Sequence, residues 1–379
     1  MITVNGLFNY AHVMNDYLDD MSREQVQRMC DLEIFKNSQI RFMADIHAGK
    51  GAVIGTAMTI PDVIIPYTIG VDGNCGVLAY NLGKIEINFS KLDAYIKKNI
   101  PNGKNVNSTI NPFYLGDDSF EKNLKDVSDN IKIDYQRVIK SVGSLGGGNH
   151  FIEIDKDENE NFWLVIHSGS RNFGLQVANF HQNIAKKKME MYCIADQYKG
   201  MEFLAEENDK QNYFNDMKIV EKFAYYNRET MACSIMNFLN IDPIERVESV
   251  HNFIDFSDNI IRKGAIRCYP NEPLLIPLNM RDGIIIGVGK SDEKVLKKWN
   301  YSAPHGAGRK LSRTKAKDQV SLDDFKKSMD GIWTSCVGKD TLDESPFAYK
   351  DSKEIVDYVK EIVDIKTVMK PVYNFKASE

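Results

Sequence analysis

The sequence predicts a mixed α+β fold, and three observations lead to that prediction. Short runs typical of β-strands occur at residues 77–82, 163–167 and 284–289. Long apolar-periodic segments typical of helices fill residues 176–198 and 213–239. The two kinds of segment do not alternate regularly along the chain, as they would in a doubly wound parallel sheet. We therefore expect mixed and antiparallel sheets flanked by helices.

Polar and turn-forming residues divide these elements. The segment DKDENEN (155–161) predicts a hairpin turn between strands formed by FIEI and FWLVI. Residues 116–130 are polar and turn-rich, and they predict the clearest break in the chain. A last helix is expected at residues 352–364, after Lys350-Asp351. Because the motifs described below are spread along the whole chain, we expect one domain spanning residues 1–379.

Composition excludes several classes of protein. The net charge of −5 gives no overall signal for nucleic-acid binding, so any RNA contact must use a local basic patch. No run approaches the roughly 20 apolar residues that span a bilayer, and the N-terminus lacks the features of a signal peptide. The six cysteines are scattered without a CxxC pair, which is typical of reduced thiols. We expect a cytoplasmic protein that contacts no membrane.

Most of the histidines lie in short motifs rich in glycine or polar residues. Of the seven histidines, only His12 and His181 lie outside such motifs, and we expect these two to have a purely structural role. The main motifs are DGNC (72–75), GGGNHFIE (146–153), HSGSR (167–171), VHN (250–252) and HGAGR (305–309). Because loops and strand ends commonly present functional groups, these motifs are candidates for the functional site.

The first four motifs contain candidate metal ligands. Asp72 and Cys75 lie three residues apart in a turn that contains glycine, so a carboxylate and a thiolate can meet at one metal centre. His150, His167 and His251 can supply nitrogen ligands. Mixed oxygen, nitrogen and sulfur ligation suits zinc or divalent manganese, iron or cobalt, and ligand type alone does not decide among them.

The glycine-rich segments also indicate phosphate binding. The segments at 143–150 and 305–308 can direct backbone amides at an anion, although neither fits the Walker or the Rossmann pattern. Three arginines whose guanidinium groups match phosphate oxygens lie in or just after these motifs: Arg171, Arg309 and Arg313. The resulting hypothesis is a metal site beside a phosphate-binding site.

Taken in order, the motifs resemble those of the RtcB family, the GTP-dependent RNA ligases. The resemblance extends through DIHAGKGAVIG, VDGNCG, LGGGNHFIEI, VIHSGSRNFG, VHNF, RKGAI, HGAGRKLSR, AYKD and the terminal KPVYNFK. It implies one RtcB-like domain with a central active-site cleft. The chain looks like a divergent, shorter bacterial branch of that family.

The resemblance implies a role for each motif residue. His305 is the expected nucleophile, which would attack the α-phosphorus of GTP and form a histidine–GMP phosphoramidate. Cys75 is expected to bridge two manganese ions. Asp72 and His150 would complete the ligands of one ion, and His167 and His251 those of the other. The residues expected to hold the guanylate are Asn149, His150, Glu153, Asn252, Pro277, Asn279, Met280, His305, Gly306, Ala307, Gly308 and Lys376.

Two segments depart from the family pattern. The usual D-I-G-C-G reads DGNCG here, which places Asn74 directly before Cys75. The usual P-G-S-M-G, which contacts the guanylate, reads PLNMRDG (277–283). Bulkier residues therefore replace small ones beside the expected nucleotide.

The expected activity is the joining of RNA ends that carry a 3′-phosphate or 2′,3′-cyclic phosphate to a 5′-hydroxyl end, in RNA repair or tRNA splicing. Two alternatives stay open. The metal ligands would also suit a metal-dependent phosphoesterase, and the altered nucleotide segment would suit a non-catalytic protein that binds RNA ends. The expected partner is RNA with these ends, and an archease-like activator is a further candidate. Nothing resembles a heptad zipper, so we expect a monomer.

Overall fold

The computed structural model describes residues 1–377 and contains two extended β-sheets covered by helices. The strands are β1 (Ile2–Asn5), β2 (Tyr10–Val13), β3 (Ile40–His47), β4 (Ile54–Thr59), β5 (Gly76–Gly83), β6 (Phe151–Lys156), β7 (Phe162–Ser168), β8 (Glu245–Val250), β9 (Phe253–Asp255), β10 (Ile260–Lys263), β11 (Ala265–Arg267), β12 (Pro273–Asn279), β13 (Gly283–Gly289), β14 (Ser302–Pro304), β15 (Trp333–Thr334) and β16 (Val363–Lys376). The α-helices are α1 (Asp20–Asp31), α2 (Phe89–Asn99), α3 (Asp118–Asn130), α4 (Tyr135–Lys140), α5 (Arg171–Met191), α6 (Glu207–Leu239), α7 (Glu293–Lys298), α8 (Arg313–Gln319), α9 (Leu322–Ser328) and α10 (Ser352–Val359). Short 3₁₀ helices lie at Glu33–Phe35, Pro66–Thr68, Lys339–Glu344 and Pro346–Ala348.

The larger sheet has the strand order β12-β13-β16-β6-β7-β5-β8, and β15 pairs with β16 beside it. Apart from the parallel β15–β16 pair, its strands are antiparallel. The second sheet has the order β1-β2-β3-β4-β10-β9 and includes one parallel pair, β2 with β3. A two-stranded ribbon joins β11 and β14. Mixed and antiparallel sheets with flanking helices confirm the predicted α+β class.

Both faces of the larger sheet are buried, and β5 shows how the sequence produces this. Leu78 and Tyr80 belong to an apolar cluster with residues of α2 and α6, whereas Val77 and Ala79 pack in another cluster with Leu275 of β12. Successive side chains of a strand point to opposite faces, so a strand covered on both sides needs an apolar run rather than an alternating pattern. The apolar run at 77–82 therefore predicts not only a strand but also that this strand is covered on both faces.

The polar segment at 116–130 is mostly helical, so the predicted break is wrong. Asp117 caps α3, because its Oδ1 accepts a hydrogen bond from the backbone N–H of Phe120 at 2.7 Å. Phe120, Leu124 and Val127 recur at helical spacing and are buried in the core. This narrow apolar stripe lies among many polar residues, which concealed the helical period.

Other predicted elements are confirmed, with shifted ends. The three expected strands lie within β5, β7 and β13, and β6 and β7 form the expected hairpin. α5 begins and ends earlier than expected, and α6 begins six residues earlier, at Glu207. The helix expected to reach residue 364 ends at Val359, because the long strand β16 begins at Val363. His251 directly follows the strand β8. All six cysteines are free, and none of the helices in residues 1–377 is long and apolar enough to cross a membrane.

The packing of α3 can be tested, since the sequence had predicted a break at residues 116–130. Leu124→Ala should lower the free energy of unfolding by about 2–5 kcal/mol, because Leu124 is fully buried and its truncation leaves a cavity. Asn123→Ala, at an exposed position of the same helix, should change it by less than about 0.5 kcal/mol. Urea unfolding followed by tryptophan fluorescence measures both. Equal, small effects would mean that this segment is not packed as a helix.

Candidate active site

Four adjacent strands of the larger sheet bring the predicted metal ligands together at one end. Within the order β6-β7-β5-β8, His150 directly precedes β6 and Cys75 directly precedes β5. His167 lies near the end of β7, and His251 directly follows β8. Because these strands are antiparallel, the beginnings of β5 and β6 lie beside the ends of β7 and β8. Ligands that are far apart in sequence therefore meet because of strand order.

The ligand side chains form a compact cluster. The Sγ atom of Cys75 lies 3.4 Å from Nε2 of His150 and 3.2 Å from Nε2 of His167. The same Nε2 of His150 lies 3.0 Å from Oδ2 of Asp72. The ring centroids of His167 and His251 are 5.4 Å apart. The thiol and the three imidazoles are buried, whereas Asp72 is partly exposed.

Hydrogen bonds orient two of the imidazoles toward the thiol. Nδ1 of His150 lies 2.9 Å from the carbonyl oxygen of Leu145, and Nδ1 of His167 lies 3.1 Å from that of Asn149. Each Nδ1 therefore donates its proton to a carbonyl oxygen, and each Nε2, once it carries no proton, would face a metal ion beside Cys75. Nδ1 of His251 is buried without a hydrogen-bond partner. This donor set and the unpaired nitrogen fit a divalent metal ion.

Burial favours the neutral form of His167 and His251. Burial, followed by the nearby charge of His150, lowers the pKa of His167 well below its usual value. Burial, followed by the charge of His305, lowers the pKa of His251 in the same way. A neutral imidazole is the form that binds a metal.

The pKa values of Asp72 and Cys75 shift in opposite directions. Burial opposes ionisation of Asp72, but the hydrogen bond and charge of His150, with Arg171, outweigh it and lower the pKa of Asp72 to about 2. Burial and the charge of Asp72 raise the pKa of the Cys75 thiol well above its usual value. The protein alone therefore stabilises a carboxylate and a thiol, and a bound cation is what would stabilise the thiolate.

Two residues explain the first departure from the family pattern. Asn74 has a φ of 54°, a left-handed conformation that Asn adopts more easily than most residues with a side chain. Its Nδ2 donates a hydrogen bond to the carbonyl oxygen of Glu221 on α6 at 3.0 Å. A Cβ atom on Gly73 would lie only 2.8 Å from Cγ1 of Val220 on the same helix. Gly73 and Asn74, which differ from the family pattern, thus allow the turn at 72–75 to pack closely against α6.

His305 lies beside the cluster and is held by a carboxylate. Its ring centroid is 4.7 Å from that of His251. Its Nδ1 lies 2.5 Å from Oδ2 of Asp45, and its backbone N–H donates to the same oxygen at 3.1 Å. Because Asp45 holds the proton on Nδ1, the lone pair of Nε2 is available as a nucleophile. Sequence analysis did not assign a role to Asp45, although it is the first residue of the quoted motif DIHAGKGAVIG.

A cavity of about 830 Å³ opens beside His305 and the cluster. All but one of the residues expected to hold the guanylate line it. These lining residues are Asn149, Glu153, Asn252, Pro277, Asn279, Met280, His305, Gly306, Ala307, Gly308 and Lys376. The exception is His150, whose side chain lies against Cys75 and Asp72 instead. Asp72, Cys75, His167 and His251 also reach the cavity wall. The structure therefore places the expected metal ligands next to the expected nucleotide site.

A buried ion pair forms another part of the wall. Nζ of Lys376 lies 2.8 Å from Oε2 of Glu344, and Nη1 of Arg309 lies 3.1 Å from Oε1. The hydroxyl of Tyr349 donates to Glu344 at 2.6 Å. Burial opposes ionisation of Glu344, but Lys376 and these partners outweigh it and lower its pKa to about 2. Sequence analysis missed Glu344, which lies in none of the quoted motifs.

The second departing segment forms the β12–β13 hairpin at the cavity. Oδ1 of Asn279 accepts from the backbone N–H groups of Arg281 and Asp282, and its Nδ2 donates to Asp282. Arg281 is exposed and pairs with Asp282. Leu278 and Met280 are buried in apolar clusters. The turn and the core thus accommodate the bulkier residues, and the cavity stays open beside them.

The three arginines expected to bind phosphate occupy two places. Arg309 and Arg313 line the cavity. Arg171 lies behind His150, with Nη1 3.5 Å from its Nδ1, and lines a separate pocket of about 360 Å³. The basic residues along the main cavity are Arg309, Lys310, Arg313, Lys315 and Lys376. The same cavity is also lined by acidic residues, namely Asp19, Asp20, Asp72, Glu153 and Glu344, and Glu344 pairs with Arg309 and Lys376.

Comparison with known proteins agrees with the motif order. A family model described as tRNA-splicing ligase RtcB matches residues 25–377. The RNA-splicing ligase RtcB of Escherichia coli (strain K12) is 28% identical, with 89% of this chain and 90% of that protein covered. The tRNA-splicing ligase RtcB of Nanoarchaeum equitans is 27% identical, with 84% of each chain covered. That of Thermococcus kodakarensis is 26% identical over 94% of this chain and 93% of its own length.

The α+β fold, its motif order and these matches together define an enzyme of the ligase class. The chain belongs to the RtcB family of RNA ligases. The resemblance stated from sequence is thereby confirmed.

The ion pair in the cavity wall predicts a pH dependence of stability. The folded state lowers the pKa of Glu344 from 4.5 to about 2, so its carboxylate stabilises the fold above pH 4.5. That contribution should be lost as the pH falls from 4.5 towards 2. Glu344→Gln should lower the free energy of unfolding at neutral pH and reduce its decline in acid. Urea unfolding at a series of pH values measures this.

Glu33→Gln provides the matched control, because Glu33 forms only an exposed pair with Lys36. Its acid profile should follow that of the wild type. An unchanged profile in Glu344→Gln would contradict the assignment.

Proposed function

We propose that this protein joins an RNA end carrying a 3′-phosphate to an RNA end carrying a 5′-hydroxyl, through GMP bound covalently to His305. The observation that carries the proposal is the setting of His305. It lines the large cavity, its Nδ1 is held by Asp45, and its ring lies beside His251 of the ligand cluster. The relatives named RNA-splicing and tRNA-splicing ligases support RNA as the substrate.

In the first step, Nε2 of His305 forms a bond to the α-phosphorus of GTP. The bond from that phosphorus to the bridging oxygen breaks, and pyrophosphate leaves. Asp45 orients the ring and balances the positive charge that it gains. Arg309, Arg313 and Lys376 counter the negative charge of the nucleotide phosphates from the cavity wall.

In the second step, an oxygen of the RNA 3′-phosphate attacks the guanylate phosphorus and releases neutral His305. In the third step, the 5′-hydroxyl oxygen attacks the activated RNA phosphorus, the bond to GMP breaks, and the hydroxyl proton passes to water. A 2′,3′-cyclic phosphate must first add water and open to a 3′-phosphate. Each displacement is in line and benefits from groups that counter charge on the transferred phosphorus.

The ligand cluster would hold two Mn²⁺ ions with Cys75 shared between them. Asp72 and His150 would complete the protein ligands of one ion, and His167 and His251 those of the other. When bound, these ions supply positive charge to the phosphates and ease deprotonation of the attacking hydroxyl. The lowered pKa values of His167, His251 and Asp72 favour the neutral imidazoles and the carboxylate that such ligation requires.

Guanylylation gives the direct test. Incubation with Mn²⁺ and α-labelled GTP, followed by denaturing electrophoresis, should give a labelled band in the wild type and none in His305→Ala. Asp45→Asn should weaken the band by about 100-fold or more, because the amide does not hold the nucleophilic tautomer. His181→Gln should keep the band, because His181 forms its pair with Asp216 outside the cavity.

The same experiment separates the alternatives. Opening of cyclic phosphate without GTP, and with no labelled band, would favour a metal-dependent phosphoesterase. RNA-end binding without either activity would favour a non-catalytic binding protein.

Metal content tests the shared thiolate. Cys75→Ala should reduce retained Mn²⁺ from about two ions per chain to fewer than about one, because one side chain serves both ions. Elemental analysis after dialysis measures this. Cys193→Ala, at an exposed cysteine, should retain the wild-type amount. Equal metal in both variants would contradict a bridging role for Cys75.

A further inference from the structure

Two consecutive residues in the middle of α6 contact three of the loops that carry the metal ligands. These residues are Asn227 and Arg228, and both side chains are fully buried. We propose that they are positioning residues of the metal centre, which set the distances between ligands without binding metal themselves. The inference rests on the two-metal site proposed above.

Asn227 joins the loop before His150 to the loop after His167. Its Oδ1 accepts from the backbone N–H groups of Gly143 at 2.8 Å and Ser144 at 3.0 Å. Its Nδ2 donates to Oγ of Ser168 at 3.0 Å and to the carbonyl oxygen of Gly169 at 3.1 Å. The amide thus uses both of its donors and both acceptor positions on these two loops.

Arg228 joins the residue next to Cys75 to the residue next to His167. Its Nη1 donates to the carbonyl oxygen of Asn74 at 2.7 Å and to that of Ser168 at 2.9 Å. Asn74 directly precedes Cys75, and Ser168 directly follows His167. One nitrogen therefore ties the backbone beside the thiolate to the backbone beside an imidazole.

The other side of the same guanidinium reaches the strand before His251. Nε of Arg228 donates to Oε1 of Glu248 at 2.8 Å, and Glu248 lies on β8. The charge of Arg228 helps to keep the pKa of Glu248 low despite burial. Arg246 also pairs with Glu248 and extends the charged network towards the surface. Because Glu248 balances its charge, the Arg228 side chain can be fully buried.

These contacts add to what the sheet itself holds. The strand pairing of β5 ends with Gly76 opposite Ser168 and Val250, and on the β8 side two backbone hydrogen bonds continue beyond it, from His251 to Cys75 and from Asn74 to Asn252, both at 2.8 Å. The turn at 72–75 and the glycine loop before His150 lie beyond the paired strands. Asn227 and Arg228 hold these segments, so a small shift at either residue moves Sγ or Nε2 of a ligand directly. Outer partners of metal ligands typically contribute about 10–100-fold to affinity.

Cobalt(II) titration of the full-length, metal-stripped protein tests the inference. Thiolate-to-cobalt charge-transfer absorption reports bonding to Cys75 independently of ligase activity. Arg228→Lys keeps the charge but loses the planar fork, and Asn227→Asp keeps the size and an acceptor but loses the amide N–H groups. Each should weaken cobalt binding by about 10–100-fold and reduce the charge-transfer band. Circular dichroism and thermal melting establish that the variants are folded.

Two control variants remove comparable interactions elsewhere. Arg262→Lys alters another fully buried arginine, which pairs with Asp255 and Asp258 and whose side-chain hydrogen-bond partners lie outside the ligand loops. Ser234→Ala removes a buried hydroxyl from α6 that bonds to Tyr95. Both should bind cobalt with wild-type affinity and spectrum, even if they melt at lower temperature.

The outcomes separate the possibilities. Wild-type affinity and spectrum in the two α6 variants would overturn the inference, as would a loss no greater than in an equally destabilised Arg262→Lys. If Arg228→Lys does not fold, Asn227→Asp alone decides by the same criteria. Absence of a thiolate band in the wild type would instead refute the proposed metal centre, and the inference with it.

Discussion

The close approach of Cys75 to two imidazoles in a buried position is the constraint on which the rest of the structure depends. Polar groups lose hydration there, so each must find a partner or bind an ion. The order β6-β7-β5-β8 brings the ligands to one end of the sheet. Beyond the strand ends, backbone hydrogen bonds join Cys75 to His251 and Asn74 to Asn252, and side chains of α6 hold the turn at 72–75 and the loops before His150 and after His167. Sheet order thus sets which ligands meet, while α6 sets how closely they meet.

The proposed nucleophile, His305, comes from the other half of the molecule. His305 follows β14, and its partner Asp45 lies on β3 of the second sheet. The two halves meet at Gly264, whose backbone N–H donates to Oδ1 of Asn252 at 2.8 Å. A Cβ atom at this left-handed glycine would lie 3.3 Å from Cε1 of His305. The close packing of the two sheets is therefore what places His305 beside the ligand cluster.

The parts of the site that could be predicted from sequence are those carried by motifs. Cys75, the three cluster histidines and His305 lie among glycines and polar residues, and the structure brings them together. Asp45 and Glu344 act through contacts with motif residues that lie far away in sequence, and no local pattern reveals such contacts. Asn227 lies within the long helix α6, and the apolar periodicity of that helix predicts which face is buried but not which loops Asn227 contacts. The helix α3 was missed because its few apolar residues lie among charged ones, although their spacing was helical.

Charge distribution explains how a chain with net negative charge can present an RNA site. Two acidic groups at the cavity have basic partners: Glu344 binds Lys376 and Arg309, and Asp45 binds His305. Asp72 lies within the ligand cluster, where bound cations would neutralise it. Lys310, and Arg313 and Lys315 of α8, add positive charge along the cavity. These groups favour the binding of phosphates beside His305.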